Sequence, residues 1–272
     1  YLPTMNRSEI FLVMVSGMGT IAGSVMGTYI GMLGGTDPAA KVLFATHLLS
    51  ASVMAVPGSI VLAKMLCPQT EEATDHVAIS GKEKENSNIL DAISSGTVTG
   101  VKLMTNIAAM LLVFISLVAL ANYITEGVIG RYTGLNDWIV KITDGKAQGL
   151  TFQFILGVIT SPFMWLIGVP SQDIMLVGSL LGQKTILNEF VAYFQLQQWK
   201  DAGLFMYEKS ILMSTYILCG FANISSIGIL LGGLGVLAPE KRGLISRIGL
   251  PAMIGGALVS VLSATIIGMI LG

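Results

Sequence analysis

Six long uncharged runs decide the solvent in which this chain can fold. They span residues 10–36, 42–63, 103–125, 147–172, 210–239 and 248–272. Each reaches the length of about 20 residues that a helix needs to cross the hydrocarbon of a bilayer. Charged residues make up 11% of the 272 and apolar residues 53%, whereas a soluble domain is about 25% charged. The mean hydropathy of +0.76 agrees. A chain so poor in charge cannot cover a water-facing surface, so an all-α polytopic membrane protein is expected.

The same composition excludes other classes. A formal net charge of −1 offers no basic field for nucleic acid. Cys67 and Cys219 both sit at or inside apolar runs, which suits buried small hydrophobes better than a disulfide framework or a metal site. The chain opens on Tyr1 with a polar stretch and no signal peptide, so a piece of something longer is expected.

Polar breaks organise the rest. Residues 69–88 carry Glu71, Glu72, Asp75, Glu83 and Glu85 and read as a solvated loop. Residues 89–100 read as an amphipathic surface helix. Residues 127–146 form a second break, in which Tyr132 and Trp138 suit a membrane interface. The stretch 173–199 holds two apolar pieces, 174–181 and 190–196, on either side of a polar stretch from Gly182 to Glu189. Each piece is too short to span, so the stretch is either a re-entrant helical hairpin or a pair of surface helices. Lys241, Arg242 and Arg247 predict a short cytoplasmic loop. A weak internal echo relates the helix after Asn6-Arg7-Ser8-Glu9 to the helix after Glu208-Lys209-Ser210, both irregular further on, as in transporters built from related halves.

Three constellations could carry chemistry. Asn223 and Ser226 lie three apart in the middle of an apolar run, on one helix face. They serve either a ligand or a helix–helix contact. Glu189 is an ionisable group that belongs to a site if the hairpin forms and is a surface charge if it does not. The run Thr20-Ile21-Ala22-Gly23-Ser24-Val25 offers hydroxyl and carbonyl oxygens suited to a hard monovalent cation, or else a glycine-packed helix crossing. His47 reads as a hydrogen-bonded packing residue. Gly232-Gly233-Leu234-Gly235 lacks the preceding strand of a phosphate loop. No nucleophile with a nearby base stands out, so no enzyme is expected.

Two runs are specific enough to compare with known families. Gly182-Gln183-Lys184-Thr185-Ile186-Leu187-Asn188-Glu189-Phe190-Val191-Ala192-Tyr193 resembles the second re-entrant hairpin of the concentrative nucleoside transporters. Cys219-Gly220-Phe221-Ala222-Asn223 through Gly235 resembles that family's discontinuous seventh helix. Ala22-Gly23-Ser24-Val25 and Pro57-Gly58-Ser59-Ile60 resemble its fourth and fifth helices. The resemblance implies discontinuous transmembrane helices plus a re-entrant helical hairpin, half of an inverted-repeat transporter core. It implies a homotrimer in the plasma membrane (the inner membrane in a bacterium) that imports nucleosides with sodium, or in some members with protons. Carried over residue by residue, Glu189, Asn223 and Ser226 would contact ribose, Val25 would pack beside the base and Phe221 would close over the nucleoside. Thr20 through its hydroxyl and Ile21 through its carbonyl would help hold the sodium ion. The family's first hairpin, with a Gly-Gln-Thr-Glu tip, should precede Tyr1; Gln69-Thr70-Glu71 only looks similar.

The expected organisation is one C-terminal transporter domain over 1–272. It has two membrane helices over 8–66, the first interrupted, then a solvated loop and amphipathic helix over 67–100. A scaffold membrane helix follows over 101–126, a helix at or in the membrane over 147–168, and the re-entrant hairpin over 173–199. A discontinuous helix over 210–239 and a last membrane helix over 244–272 complete it. A membrane-embedded enzyme and a channel-like structural subunit stay open as alternatives.

Overall fold

Helices account for every regular element among the described residues. The structure, a computed structural model, describes residues 2–71, 88–143, 145 and 147–272. Helix α1 (Arg7–Gly19) opens on a capping box: Glu9 N donates to Asn6 Oδ1 at 3.0 Å and Asn6 N donates to Glu9 Oε2 at 2.9 Å. It ends at Thr20, whose backbone is extended, and α2 (Gly23–Gly34) resumes after Ala22. Helix α3 (Pro38–Leu66) starts where Asp37 accepts from Ala39 N and Ala40 N, with proline at the first helical position.

Helix α4 (Ile89–Asn122) runs into a π-helical segment (Tyr123–Gly130) and the short α5 (Arg131–Thr133) and α6 (Leu135–Ile142). Then come α7 (Phe152–Leu166), the pair α8 (Ile174–Ile186) and α9 (Glu189–Asp201), and the pair α10 (Glu208–Leu218) and α11 (Ile224–Leu237). Helix α12 (Arg242–Ile270) closes the chain.

Length and composition suit a bilayer. The stretches Arg7–Gly34, Pro38–Leu66 and Pro239–Ile270 are each long and apolar enough to cross one. The pieces α1, α8, α9, α10 and α11 hold 13, 13, 13, 11 and 14 residues. At 1.5 Å per residue each reaches roughly 16–21 Å, against a hydrocarbon layer of about 30 Å. On α3, Val42, Leu49, Val53, Val56 and Ile60 form one stripe at helical spacing, and all are exposed, Val42 to 67%. The molecule is an all-α polytopic membrane protein with half-length helices inside it.

Small residues decide how closely these helices meet, because lipid removes the hydrophobic drive between them. Helix α12 touches α1, α3, α10 and α11. At Gly255 and Gly256 an added Cβ would come within 2.8 Å of Val15 and 2.7 Å of Met18, so α1 lies directly on the α12 backbone. Helices α7 and α8 meet in the same way. A Cβ on Gly157 would sit 2.7 Å from the Met175 carbonyl, and one on Gly182 would sit 2.6 Å from Leu156 Cβ. The buried side chains fall into two clusters. One gathers Tyr29, Leu48, Val177, Leu180, Tyr193 and Ile217; the other gathers Ile10, Met14, Met18, Ile245, Ile248 and Val259.

Several details differ from the sequence reading. Residues 89–100 are not a separate surface helix: they continue through Gly100 into α4. The break at 127–146 is largely helical, while its Tyr132 and Trp138 are exposed to 85% and 57%. The apolar run 147–172 yields only the 15 residues of α7, because Gly168 turns at φ +83° and Pro170 follows. Residues 182–186 are helical, which leaves only Leu187 and Asn188 between α8 and α9. Arg242 and Arg247 sit in the first turns of α12 and not in a loop. Gln69 accepts from Lys64 Nζ, which also donates to Ser8 Oγ at 2.9 Å. The acidic residues from Glu72 to Glu85, and His76, lie outside the described residues.

Gly182→Val is expected to force α7 and α8 apart and destabilise the protein by about 1–3 kcal/mol. Gly243→Ala, where an added Cβ meets nothing within 4 Å, serves as the control. Thermal unfolding in detergent checks this, and equal midpoints for the two variants would reject close packing at Gly182.

Candidate functional site

Two interrupted helices and one hairpin tip converge. The first interruption covers Thr20, Ile21 and Ala22, all with the chain extended or uncoiled between α1 and α2. The second covers Cys219 to Asn223, between α10 and α11. Gly220 makes the second one possible. Its φ of +114° suits glycine alone, and an added Cβ would stand 2.7 Å from the Gly19 carbonyl oxygen. The two breaks therefore press backbone to backbone, with the C-terminal end of α1 against the start of the second gap.

Asn223 restarts the second helix. Its Oδ1 accepts from Ser226 N at 2.9 Å, capping α11. The same oxygen accepts from Ser225 Oγ at 2.6 Å. Ser226 Oγ stands between two acceptors, the Phe221 carbonyl and Asn223 Oδ1 (2.9 Å for the latter). It has one proton to give, so it serves one of them at a time. With Oδ1 occupied, the Asn223 amide nitrogen is directed the other way and donates to Glu189 Oε2 at 3.0 Å.

Glu189 opens α9, at the positive end of that helix. Asn188 caps the helix, its Oδ1 accepting from Val191 N at 2.9 Å. The tight turn at Leu187 and Asn188 thus aims Glu189 out of the hairpin. An ionised carboxylate has about four acceptor positions; Asn223 fills one, which leaves room for paired hydroxyl donors.

The other residues singled out from the sequence lie on α2, α3 and in the two gaps. Phe221 lies in the second gap, half-buried, and is joined to Ser226 through its carbonyl. Val25 is half-buried in the first turn of α2 and packs on the cluster that includes Tyr29. That cluster brings α2 to the hairpin: Tyr29 stacks on Tyr193 at 4.0 Å between ring centroids, and Phe190 lies at 6.2 Å. Thr20 Oγ1 donates to the Ser16 carbonyl at 2.9 Å, which spends its proton and leaves its lone pairs for a cation. Ile21 is the middle residue of the first gap. No group of three or more His, Cys, Asp or Glu that could hold a metal occurs among the described residues; an alkali cation here would rest on hydroxyl and carbonyl oxygens. His47 is 3.1 Å from the Tyr216 hydroxyl through Nδ1, as a packing residue would be.

Two buried charges escaped the sequence reading. Asp173 is wholly buried at the base of the hairpin and accepts from Met206 N at 3.0 Å and Tyr207 N at 3.1 Å. It ties the start of α8 to the chain that enters α10. Lys184 is also wholly buried, in the last turns of α8. Its signal was a lysine inside a helix flanked by Leu180, Leu181 and Leu187; reading 182–189 as one polar tip concealed it.

An apolar membrane bundle with two broken helices and a helical hairpin meeting them is the framework of a secondary transporter. The chain belongs to the family described as Na+ dependent nucleoside transporter C-terminus, whose model matches residues 47–268. It is 38% identical over 284 residues to Sodium/nucleoside cotransporter 1 of Rattus norvegicus, a match covering 99% of the chain and 40% of the rat protein. It is 37% identical over 274 residues to Nucleoside permease NupC of Helicobacter pylori, covering all of the chain and 60% of that protein. Among solved structures, a variant of CNTnw in an intermediate state matches with a TM-score of 0.84 at 36% identity, over 99% of this chain and 60% of that one. The chain therefore spans less than two thirds of the length of these relatives.

Asn223→Asp keeps an oxygen to cap α11 but sets a second carboxylate against Glu189. It is expected to lower the thermal midpoint at neutral pH, by the equivalent of about 1.5–3 kcal/mol. Acidification should restore the midpoint, since one shared proton rebuilds the bond. Thermal unfolding of parent and variant across this pH range checks it, and a deficit indifferent to pH would argue against the contact.

Proposed function

We propose that this chain is the substrate-binding part of a secondary active symporter that imports nucleosides together with sodium across the plasma membrane. The observation that carries the reading is the 3.0 Å bond from Asn223 to Glu189, which joins the hairpin tip to the second broken helix. A ribose presents neighbouring hydroxyls that both donate and accept. Glu189 offers acceptors only, the Asn223 amide nitrogen offers a donor, and the Ser226 hydroxyl, its proton turned to Phe221 or Asn223, offers a lone pair. Val25 and Phe221 supply an apolar and an aromatic surface for the base. In a dry pocket each unmatched polar group is costly, which makes hydroxyl recognition selective.

Sodium fits the first break. Thr20 Oγ1 donates its hydrogen bond to the Ser16 carbonyl, and the end of α1 supplies carbonyl oxygens beside Ile21. Half-helix ends of this kind coordinate coupling ions in transporters. The family description and the name of the rat relative support sodium over protons. Assembly as a homotrimer belongs to the same proposal.

Labelled uridine uptake by the full-length protein in proteoliposomes tests the reading. Uptake is expected to require an inward sodium gradient; uptake indifferent to any ion gradient would reject coupled transport and favour a channel-like role. Glu189→Gln is expected to weaken uridine binding by about 1.5–3 kcal/mol, the worth of a charge-assisted hydrogen bond, and an unchanged Kd would remove Glu189 from the site. Thr20→Ala should raise the sodium concentration for half-maximal uptake, while a sodium curve identical to the parent's would withdraw the cation from the first break.

A further inference from the structure

Breaking α10 at Cys219 leaves the carbonyls of its last turn without the amide donors that a continuous helix would supply. Lys184 reaches this end from α8. Its Nζ donates to the Ile217 carbonyl at 2.8 Å and to Ser260 Oγ of α12 at 3.1 Å. Ser260 in turn donates to the Cys219 carbonyl at 2.6 Å. One ammonium thereby serves two freed carbonyls, one directly and one through a hydroxyl. Lys184 is fully buried, and Ser260 is 2% exposed. A buried charge is costly unless something compensates it. Here the compensation comes from the negative end of α10, which carries about half an elementary charge, together with the nearby carboxylate of Glu189. The far side of the same gap holds Gly220 against the Gly19 carbonyl and ends at Asn223, which bonds to Glu189. The last turn of α10, the gap and Asn223 are thus consecutive in the chain, and Asn223 carries the link across to Glu189 in α9.

We propose that Lys184 is a fixed cation built into the second helix break, where it holds the turn from Cys219 to Asn223 in the shape that presents the Asn223 amide to ligand and to Glu189. It is a positioning residue and touches no substrate. At the first break the corresponding helix end is open to an exchangeable ion; at the second, the protein supplies its own. This inference rests on the nucleoside reading for its affinity readout alone, since the shape of the turn can be measured without ligand.

The test uses the full-length protein in nanodiscs, with amide hydrogen exchange of residues 218–223 and uridine affinity as readouts. Lys184→Met keeps the stem but removes charge and donors. It is expected to speed exchange in this turn, and to raise the uridine Kd, each by about tenfold or more. Lys184→Gln, which keeps a donor without the charge, should behave like Lys184→Met. In a double-mutant cycle, adding Asn223→Ala to Lys184→Met should cost less than Asn223→Ala costs alone, because the amide is already misplaced. Parent-like exchange in Lys184→Met, parent-like behaviour of Lys184→Gln, or additive losses would each overturn the proposal. Should Lys184→Met fail to fold, Ser260→Ala removes the hydroxyl that links Lys184 to the Cys219 carbonyl while keeping the Lys184 bond to Ile217, and exchange in that variant must still rise. A parent protein that binds no uridine would defeat the nucleoside reading, and the exchange measurement would still decide the role of Lys184.

Discussion

A helix that stops inside an apolar bundle must find partners for the backbone groups it exposes, and this requirement governs the whole arrangement. Water normally takes that role and is absent from hydrocarbon. Each gap here is served by a particular neighbour. Asn223 takes the Ser226 amide at the start of α11, Lys184 and Ser260 take the carbonyls of Ile217 and Cys219 where α10 ends, and Thr20 folds its hydroxyl back on the Ser16 carbonyl at the end of α1. What is left over faces the space between the gaps. On the proposed function, recognition would be built from the remainder of a capping problem, with Asn223 both capping α11 and serving the site.

Asn223 shows why the chemistry cannot be moved elsewhere. Its oxygen is committed to the helix and its nitrogen is thereby turned toward Glu189. An aspartate would cap as well but would repel the carboxylate, and a serine would cap without an amide to offer. The glycine at 220 is bound by a different demand. The crossing of the two breaks allows no Cβ beside the Gly19 carbonyl, so the distance between the C-terminal end of α1 and the Asn223 turn is set by backbone contact and not by side chains.

Much of this was legible in the residues. Uncharged runs pointed to a membrane protein, three of them falling in stretches long and apolar enough to span, and Asn6 with Glu9 marks the cap that begins α1. A glutamate after Leu187-Asn188, beside two apolar pieces too short to span, pointed to a tip. The family resemblance brought in Thr20, Ile21, Val25 and Phe221, which local patterns alone left open. Less visible were features that depend on partners distant in sequence. Lys184 reads as part of a polar tip until α10 and α12 are laid against it. Asp173 reads as a helix flank until residues 206 and 207 return to it. Helix continuity was also misjudged. Gly100 and the polar residues before it imply a break, yet α4 runs through them, because an isolated glycine costs a helix only about 1 kcal/mol.

The hairpin is held in two different ways, and the difference bears on how it works. At its base, Asp173 accepts two backbone amides from the segment that enters α10, and along α8 the glycines at 178 and 182 lock it against α7. Its second arm is attached by side chains: Tyr193 stacks on Tyr29 and donates its hydroxyl to the Thr215 carbonyl at 2.8 Å. Near its tip the hairpin meets the second broken helix through two side chains: Lys184 donates to the Ile217 carbonyl at 2.8 Å, and Glu189 accepts from Asn223 at 3.0 Å. The base is thus fixed by buried amides and close glycine packing, while the turn at Leu187 and Asn188 is joined to the break through Glu189. On the proposed function, ligand hydroxyls would take the acceptor positions of Glu189 that Asn223 leaves and need not disturb the packing of α7 on α8.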